Sequence, residues 1–309
     1  GSGSSADISL TLVVLLRELG LEAYPVLLST RDNGIIHHAH PSLSSFNYVA
    51  AVAFVDDDYY LMDATEPLSE VNMLPTRCLN NKGWVVDERR NGWIDLQVGR
   101  YAKSANYEVT LGESGTFSGI IDYTYNGYGA FDERLKAAKF NNHSEFFDSK
   151  FKDLSGIEIK ESSVEGIDSL YNDVNIHLEL ELTEHLENAG DLYFFEPLLL
   201  DRMKENPFRI EDRQYPVEFE YPITEMQTLT ITIPENYTVE ELPKPMIVNL
   251  DDQSAKFTYN ISQLGNKIQI TSLYSIEKVL FIPEQYPYLK QLIDMIVDKH
   301  QEQIVLKKI

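Results

Sequence analysis

Val174-Asn175-Ile176-His177-Leu178-Glu179-Leu180-Glu181-Leu182 alternates apolar and polar side chains without a break. A helix would spread these residues around its circumference, whereas a strand sends successive side chains to opposite faces. The stretch is therefore a strand with one buried and one wet face. The pattern recurs at Tyr107–Leu111, Thr116–Tyr125, Ile157–Glu161, Gln227–Ile233, Ala255–Ile261 and Lys267–Tyr274, with Pro- and Asn-containing turns among the connections. Half-wet strands belong to antiparallel sheets, so residues 104–283 read as all-β, a sandwich or two small sheets. A helical insertion over 129–151 interrupts them, with Phe131, Leu135, Phe146 and Phe147 on its apolar side. Near its start, Tyr123, Tyr125 and Tyr128 suit either sheet packing or a stacking platform for a carbohydrate or peptide. A closing amphipathic helix carries Leu289, Leu292, Ile293, Ile296, Val297 and His300 at three-to-four spacing.

The first hundred residues follow another plan. Gly3-Ser4-Ser5-Ala6-Asp7 runs into the apolar stretch Ile8–Leu16. Ser4 or Ser5 can cap the first turn and Asp7 complements the helix dipole, which predicts a well-specified N-terminus on a largely buried helix. Backbone N–H groups converge there, as at sites that stabilise a nucleophile's anion. The apolar segment 22–29 predicts a strand, and residues 30–45, with His37, His38 and His40, predict a long loop. Phe46–Val55 and Tyr59–Asp63 form a β-hairpin around the acidic turn 56–58, and short strands follow near Trp84 and Trp93. The whole is an α+β unit, a helix on an antiparallel sheet.

Composition removes several function classes. With 26 Lys and Arg against 49 Asp and Glu the net charge is −23, which opposes binding to nucleic acid or an anionic membrane surface. No run of eighteen apolar residues spans a membrane. The single Cys78 excludes an internal disulfide and a Cys-rich metal site. The acidic runs Asp56-Asp57-Asp58 and Asp251-Asp252 lack the spaced ligands of a calcium loop. Nothing calls for a cofactor, and the oligomeric state stays open. The histidines at 37, 38 and 40 fit a solvated loop, a metal site or a surrogate base for Ser5.

Three features recur in one order: Gly3-Ser4-Ser5-Ala6-Asp7-Ile8, the strand Phe46-Asn47-Tyr48-Val49, and Tyr60-Leu61-Met62-Asp63-Ala64-Thr65. Together they resemble the second half of the transglutaminase-like superfamily core, a papain-like arrangement found in exported Bacteroidetes proteins. In that family a Gly-x-Cys-x-Asp stretch supplies a thiolate nucleophile, a histidine on the following strand moves the proton, and the aspartate of Asp-x-Thr holds the imidazole. The resemblance carries the cysteine to Ser5, the histidine to Tyr48 and the aspartate to Asp63. Two of three roles are thereby lost, since a serine without an adjacent base is a poor nucleophile and an ordinary phenol is no base at neutral pH. Asp7, Asn47 and His40 remain as candidate ligand-binding residues, and Asn47 has no proton to exchange in the histidine's place.

The resemblance implies a degenerate half-core over 1–103, a β-rich domain with a helical insertion over 104–212, and a small β domain with a C-terminal helix over 213–309. It also implies that a β-rich domain and the first helices of the core precede this stretch. The expected function is non-catalytic: a peptide-, protein- or glycan-binding scaffold in the periplasm or outside the cell. The alternative is a protease-like or amidase-like hydrolase with Ser5 as nucleophile.

Overall fold

In the computed structural model, which describes residues 3–96, 99–151 and 156–309, Ser4 caps the first helix, α1 (Ser5–Glu18). The Ser4 Oγ accepts the Asp7 N–H at 3.2 Å, and the Asp7 carboxylate takes the Ser4 N–H and O–H, each at 2.8 Å. This reciprocal box satisfies donors that a helix start otherwise leaves to water. It also holds the Asp7 carboxyl below its ordinary range.

The helix is not largely buried, contrary to what its apolar sequence predicts. Only Ser9 and Val13 are buried, while Val14, Leu15 and Leu19 are 56%, 57% and 78% exposed. Its sequence is apolar all round, so no period marks which stripe faces the sheet. Its apolar contact with the sheet places Leu12, Val13 and Leu16 over Ala23, Ala51, Ala53 and Met62, where small alanines let the helix approach. The Ser9 hydroxyl adds a 2.8 Å bond to the Val49 carbonyl.

That sheet is antiparallel throughout. Its strands are β1 (Glu22–Leu28), β2 (Tyr48–Val55), β3 (Asp58–Met62), β4 (Lys82–Val85) and β5 (Gly92–Asp95), in the order β3-β2-β1-β4-β5. The β2–β3 turn places Asp56 at φ 55°, which a short polar side chain tolerates. Val26, Leu28, Ala50, Val52 and Leu61 are completely buried, as are Leu74, Cys78 and Leu79 in the connection that follows β3. By compactness the chain divides in two: one unit is Gly1–Arg100 with Ser169–Tyr171, and the other is Tyr101–Asp168 with Asn172–Ile309.

The second unit opens with β6 (Tyr101–Leu111), β7 (Phe117–Gly127), α2 (Tyr128–Ala137), α3 (His143–Phe151), β8 (Ile157–Glu165) and β9 (Val174–Leu182). β10 (Glu187–Ala189), β11 (Leu192–Phe195), β12 (Val217–Glu218), β13 (Ile223–Thr232) and β14 (Tyr237–Glu241) follow. It ends with β15 (Met246–Asn249), β16 (Ala255–Leu264), β17 (Lys267–Ile276), β18 (Leu280–Phe281), α4 (Tyr286–Gln301) and β19 (Ile304–Lys308).

Eight of these strands form one sheet, β15-β16-β17-β13-β6-β7-β9-β8, so strands on both sides of residue 212 share a single hydrogen-bonded ladder. Its pairs are antiparallel except β6 with β13, a parallel pair running from Tyr101↔Ile223 to Thr110↔Thr232. A second sheet, β10-β11-β19-β14, and a short β12-β18 pair complete the architecture. One core joins them: Leu178 and Ile231 from the large sheet, Leu289 and Ile296 from α4, and Phe195 and Leu306 from the small sheet belong to one buried cluster. Tyr123, Tyr125 and Tyr128 are at most 3% exposed, so they lie in the interior of the second unit and form no exposed platform.

Gly119 of β7 pairs with Val109 of β6, and a Cβ there would lie 2.1 Å from the Glu108 carbonyl oxygen and 2.8 Å from Val109 Cα. Backbone cannot yield as a side chain does. Gly119→Ala is expected to cost about 2 kcal/mol, read as a lower urea midpoint at constant slope.

The second unit also buries charge. The Asp201 carboxylate accepts the Tyr123 hydroxyl at 2.8 Å, the Tyr107 hydroxyl, and the Lys103 ammonium. These bonds and the Lys103 charge outweigh burial and hold its carboxyl below the ordinary range. Beside it, Glu133, only 2% exposed, bonds Lys150 at 2.6 Å and Lys136 at 2.8 Å.

Candidate functional site

The hairpin of β2 and β3 brings two of the three sequence-matched positions together. Tyr48 opens β2 and Asp63 follows the last residue of β3, and the Tyr48 hydroxyl donates to Asp63 Oδ2 at 2.7 Å. Asp63 is 6% exposed, and its other oxygen accepts the Thr65 N–H at 2.8 Å. The Thr65 hydroxyl lies 2.7 Å from the Tyr48 hydroxyl, so Asp-x-Thr closes a ring of hydrogen bonds around the phenol.

Two residues that sequence reasoning missed complete the cluster. Arg77, on the single helical turn Thr76–Cys78, donates to the Tyr48 hydroxyl at 3.2 Å and holds its guanidinium 5.5 Å from the Tyr48 ring centroid. Cys78 is completely buried beside the same hydroxyl. Burial, reinforced by the charge of Asp63, pushes its thiol up to about 12, so it is an inert structural thiol. Burial likewise pushes Tyr48 up to about 12; the bond to Asp63 adds to this, while Thr65 and Arg77 oppose it. At neutral pH the phenol is a fixed donor. No periodic pattern marks Arg77 or Cys78, because one short turn in a long connection has no repeat to read.

Ser5 is the first residue of α1, half-buried, and its hydroxyl has no hydrogen-bond partner among the described residues. No bond ties it to Tyr48 or Asp63. Ala51 and Ala53 meet α1, whereas Tyr48 pairs with Leu28 across β1 and has the other parity along β2.

The three remaining candidates have structural duties. Asp7 is occupied by the Ser4 capping box. The Asn47 carboxamide clamps the chain after β1, accepting the Thr30 N–H at 2.9 Å and donating to the Thr30 hydroxyl at 2.8 Å. His40 is exposed, with its ring stacked on His37 at 5.6 Å between centroids, while His38 packs on Trp93 at 4.5 Å. No bond links any of the three histidines to Ser5 among the described residues. Nor does any group of three or more His, Cys, Asp or Glu there have a metal-binding arrangement. No described helix is long and apolar enough to cross a membrane.

Comparison with known proteins bears on fold more than chemistry. Residues 191–306 match DUF3858, a domain of unknown function with a solved structure. The crystal structure of a putative protease from Parabacteroides distasonis ATCC 8503 superposes on 99% of this chain with a TM-score of 0.52 at 14% identity. At that identity the likeness is one of fold. The chain spans 44% of that protein's length. No curated protein matches the sequence.

Proposed function

We propose that the unit holding α1 and β1–β5 is a transglutaminase-like core without acyl-transfer chemistry, serving as a peptide-, protein- or glycan-binding scaffold of the cell envelope. The observation that supports this most is the closed bonding of Tyr48. The position matched to the family's proton carrier holds a phenol pushed up to about 12, tied to Asp63 and Thr65 and capped by Arg77. Such a group neither takes a proton from a nucleophile nor returns one near pH 7. The exposed Arg77 guanidinium above the Tyr48 ring offers a charge-bearing recognition surface for a peptide. The envelope location rests on the family resemblance alone.

A second reading keeps Ser5 as the nucleophile of a hydrolase. In its favour are the uncommitted hydroxyl at the start of α1 and a fold neighbour called a putative protease.

One experiment separates the two. A mixed tryptic peptide pool is passed over the immobilised full chain, and retained and released peptides are identified by mass. The scaffold reading expects selective retention that weakens at least about fivefold in Arg77→Ala, is unchanged in Ser5→Ala, and leaves every peptide uncut. New cleavage products that vanish in Ser5→Ala would establish the hydrolase instead.

A further inference from the structure

The paired charges of the second unit line a cavity of about 220 Å³. Lys103, on β6, and Lys150, near the end of α3, line it, with side chains 15% and 18% exposed. Each sits over a tyrosine face, Lys103 at 5.3 Å from the Tyr123 centroid and Lys150 at 5.0 Å from that of Tyr125. The two cations are close enough to repel, and each is ion-paired with a carboxylate, Lys103 with Asp201 and Lys150 with Glu133. Tyr125 lines the same space, and its hydroxyl has no hydrogen-bond partner among the described residues. Phe151 and Leu200 complete the wall with apolar surface.

We propose that this cavity binds a small organic monocarboxylate, its carboxylate placed between Lys103 and Lys150 and its apolar body against Phe151, Leu200 and the Tyr123–Tyr125 rings. The charge on the wall limits the class. Lys103 is already paired with Asp201 and Lys150 with Glu133, so these four charges balance before a ligand binds. A monocarboxylate adds one negative charge between the two ammoniums, whereas a doubly charged phosphate adds two beside those carboxylates. Glu225, whose carboxyl is pushed up by burial, also faces Lys103 and disfavours a dianion further. The stacked rings of Tyr123 and Tyr125, 6.1 Å apart at 24°, favour a flat body. A carboxylate here would relieve the lysine repulsion and accept the idle Tyr125 hydroxyl, and charge-assisted bonds of this kind are the stronger ones.

The test is calorimetric titration of the full chain with benzoate, with the isosteric neutral benzamide and with inorganic phosphate. Benzoate is expected to bind at least about tenfold more tightly than either of the others, a difference of about 1.4 kcal/mol. Lys150→Met is expected to weaken benzoate about tenfold or more, with folding checked by circular dichroism, since Glu133 keeps Lys136. Tyr125→Phe keeps the ring and is expected to weaken it about threefold. Equal affinity for benzoate and benzamide, tighter phosphate binding, or benzoate affinity unchanged in both variants overturns the assignment. So does failure of benzoate to bind a folded wild-type chain at millimolar concentration.

Discussion

Asp201→Ala is expected to lower the unfolding free energy by about 4 kcal/mol, within the range for breaking a buried ion pair by removing one partner. The loss falls on what remains. Lys103, 15% exposed, loses its ion-pair partner, and the Tyr107 and Tyr123 hydroxyls lose their acceptor inside the core. Desolvation then favours the neutral amine, so Lys103 is expected to titrate lower in the variant than in the parent, where the Asp201 charge raises it. The control is Asp201→Ala combined with Lys103→Met, which removes both charges and keeps an aliphatic stem. Urea denaturation of the three chains at neutral pH decides the matter. The double variant is expected to recover at least half of the loss. A cost under about 1 kcal/mol for Asp201→Ala alone would show the pair to be effectively solvated.

Why this pair escaped the sequence reading, when so much of the sheet did not, follows from what periodicity carries. Val174–Leu182 alternates cleanly, and its burial alternates with it. That signal reports the faces of one strand and nothing about its neighbour. The parallel pairing of β6 with β13 joins residues more than a hundred positions apart, and no local pattern records it. β19 carries the short apolar run Ile304-Val305-Leu306, and its place between β11 and β14 depends on partners far back in the chain. The hairpin that brings Tyr48 to Asp63 was legible, because its two strands flank one short acidic turn. Order along the chain says nothing of side: Tyr48 and Ala51 differ in parity, and it is the Ala51 parity that meets α1. Asp201 and Arg77 sit in turns, where residue type gives the chemistry and only the fold gives the partner.

Acidification from pH 6.5 to pH 5 is expected to remove about 2 kcal/mol of stability through His300 alone. This imidazole is 1% exposed on α4. Its Nδ1 accepts the Met203 N–H at 3.0 Å, which puts the proton on Nε2, 3.0 Å from the Ser272 hydroxyl. Burial pushes the imidazole down to about 4. Protonation would add a second N–H facing the Met203 N–H and a charge beside the Phe257 ring edge. The native state therefore resists a proton that the unfolded chain, titrating near 6.5, accepts readily. The contribution is complete above about pH 6.5, declines by up to about 1.4 kcal/mol per pH unit as pH falls, and levels off below about 4. Carboxylates such as Asp201, whose protonation is disfavoured in the fold, add their own losses at lower pH, so wild type alone is not diagnostic. His300→Asn supplies the comparison: its carboxamide oxygen can still accept the Met203 N–H, but nothing titrates. Urea unfolding of both chains at pH 7, 6 and 5 should give a stability difference that shifts by about 2 kcal/mol in favour of the variant as pH falls. Parallel pH profiles would mean that His300 takes up its proton without leaving the fold.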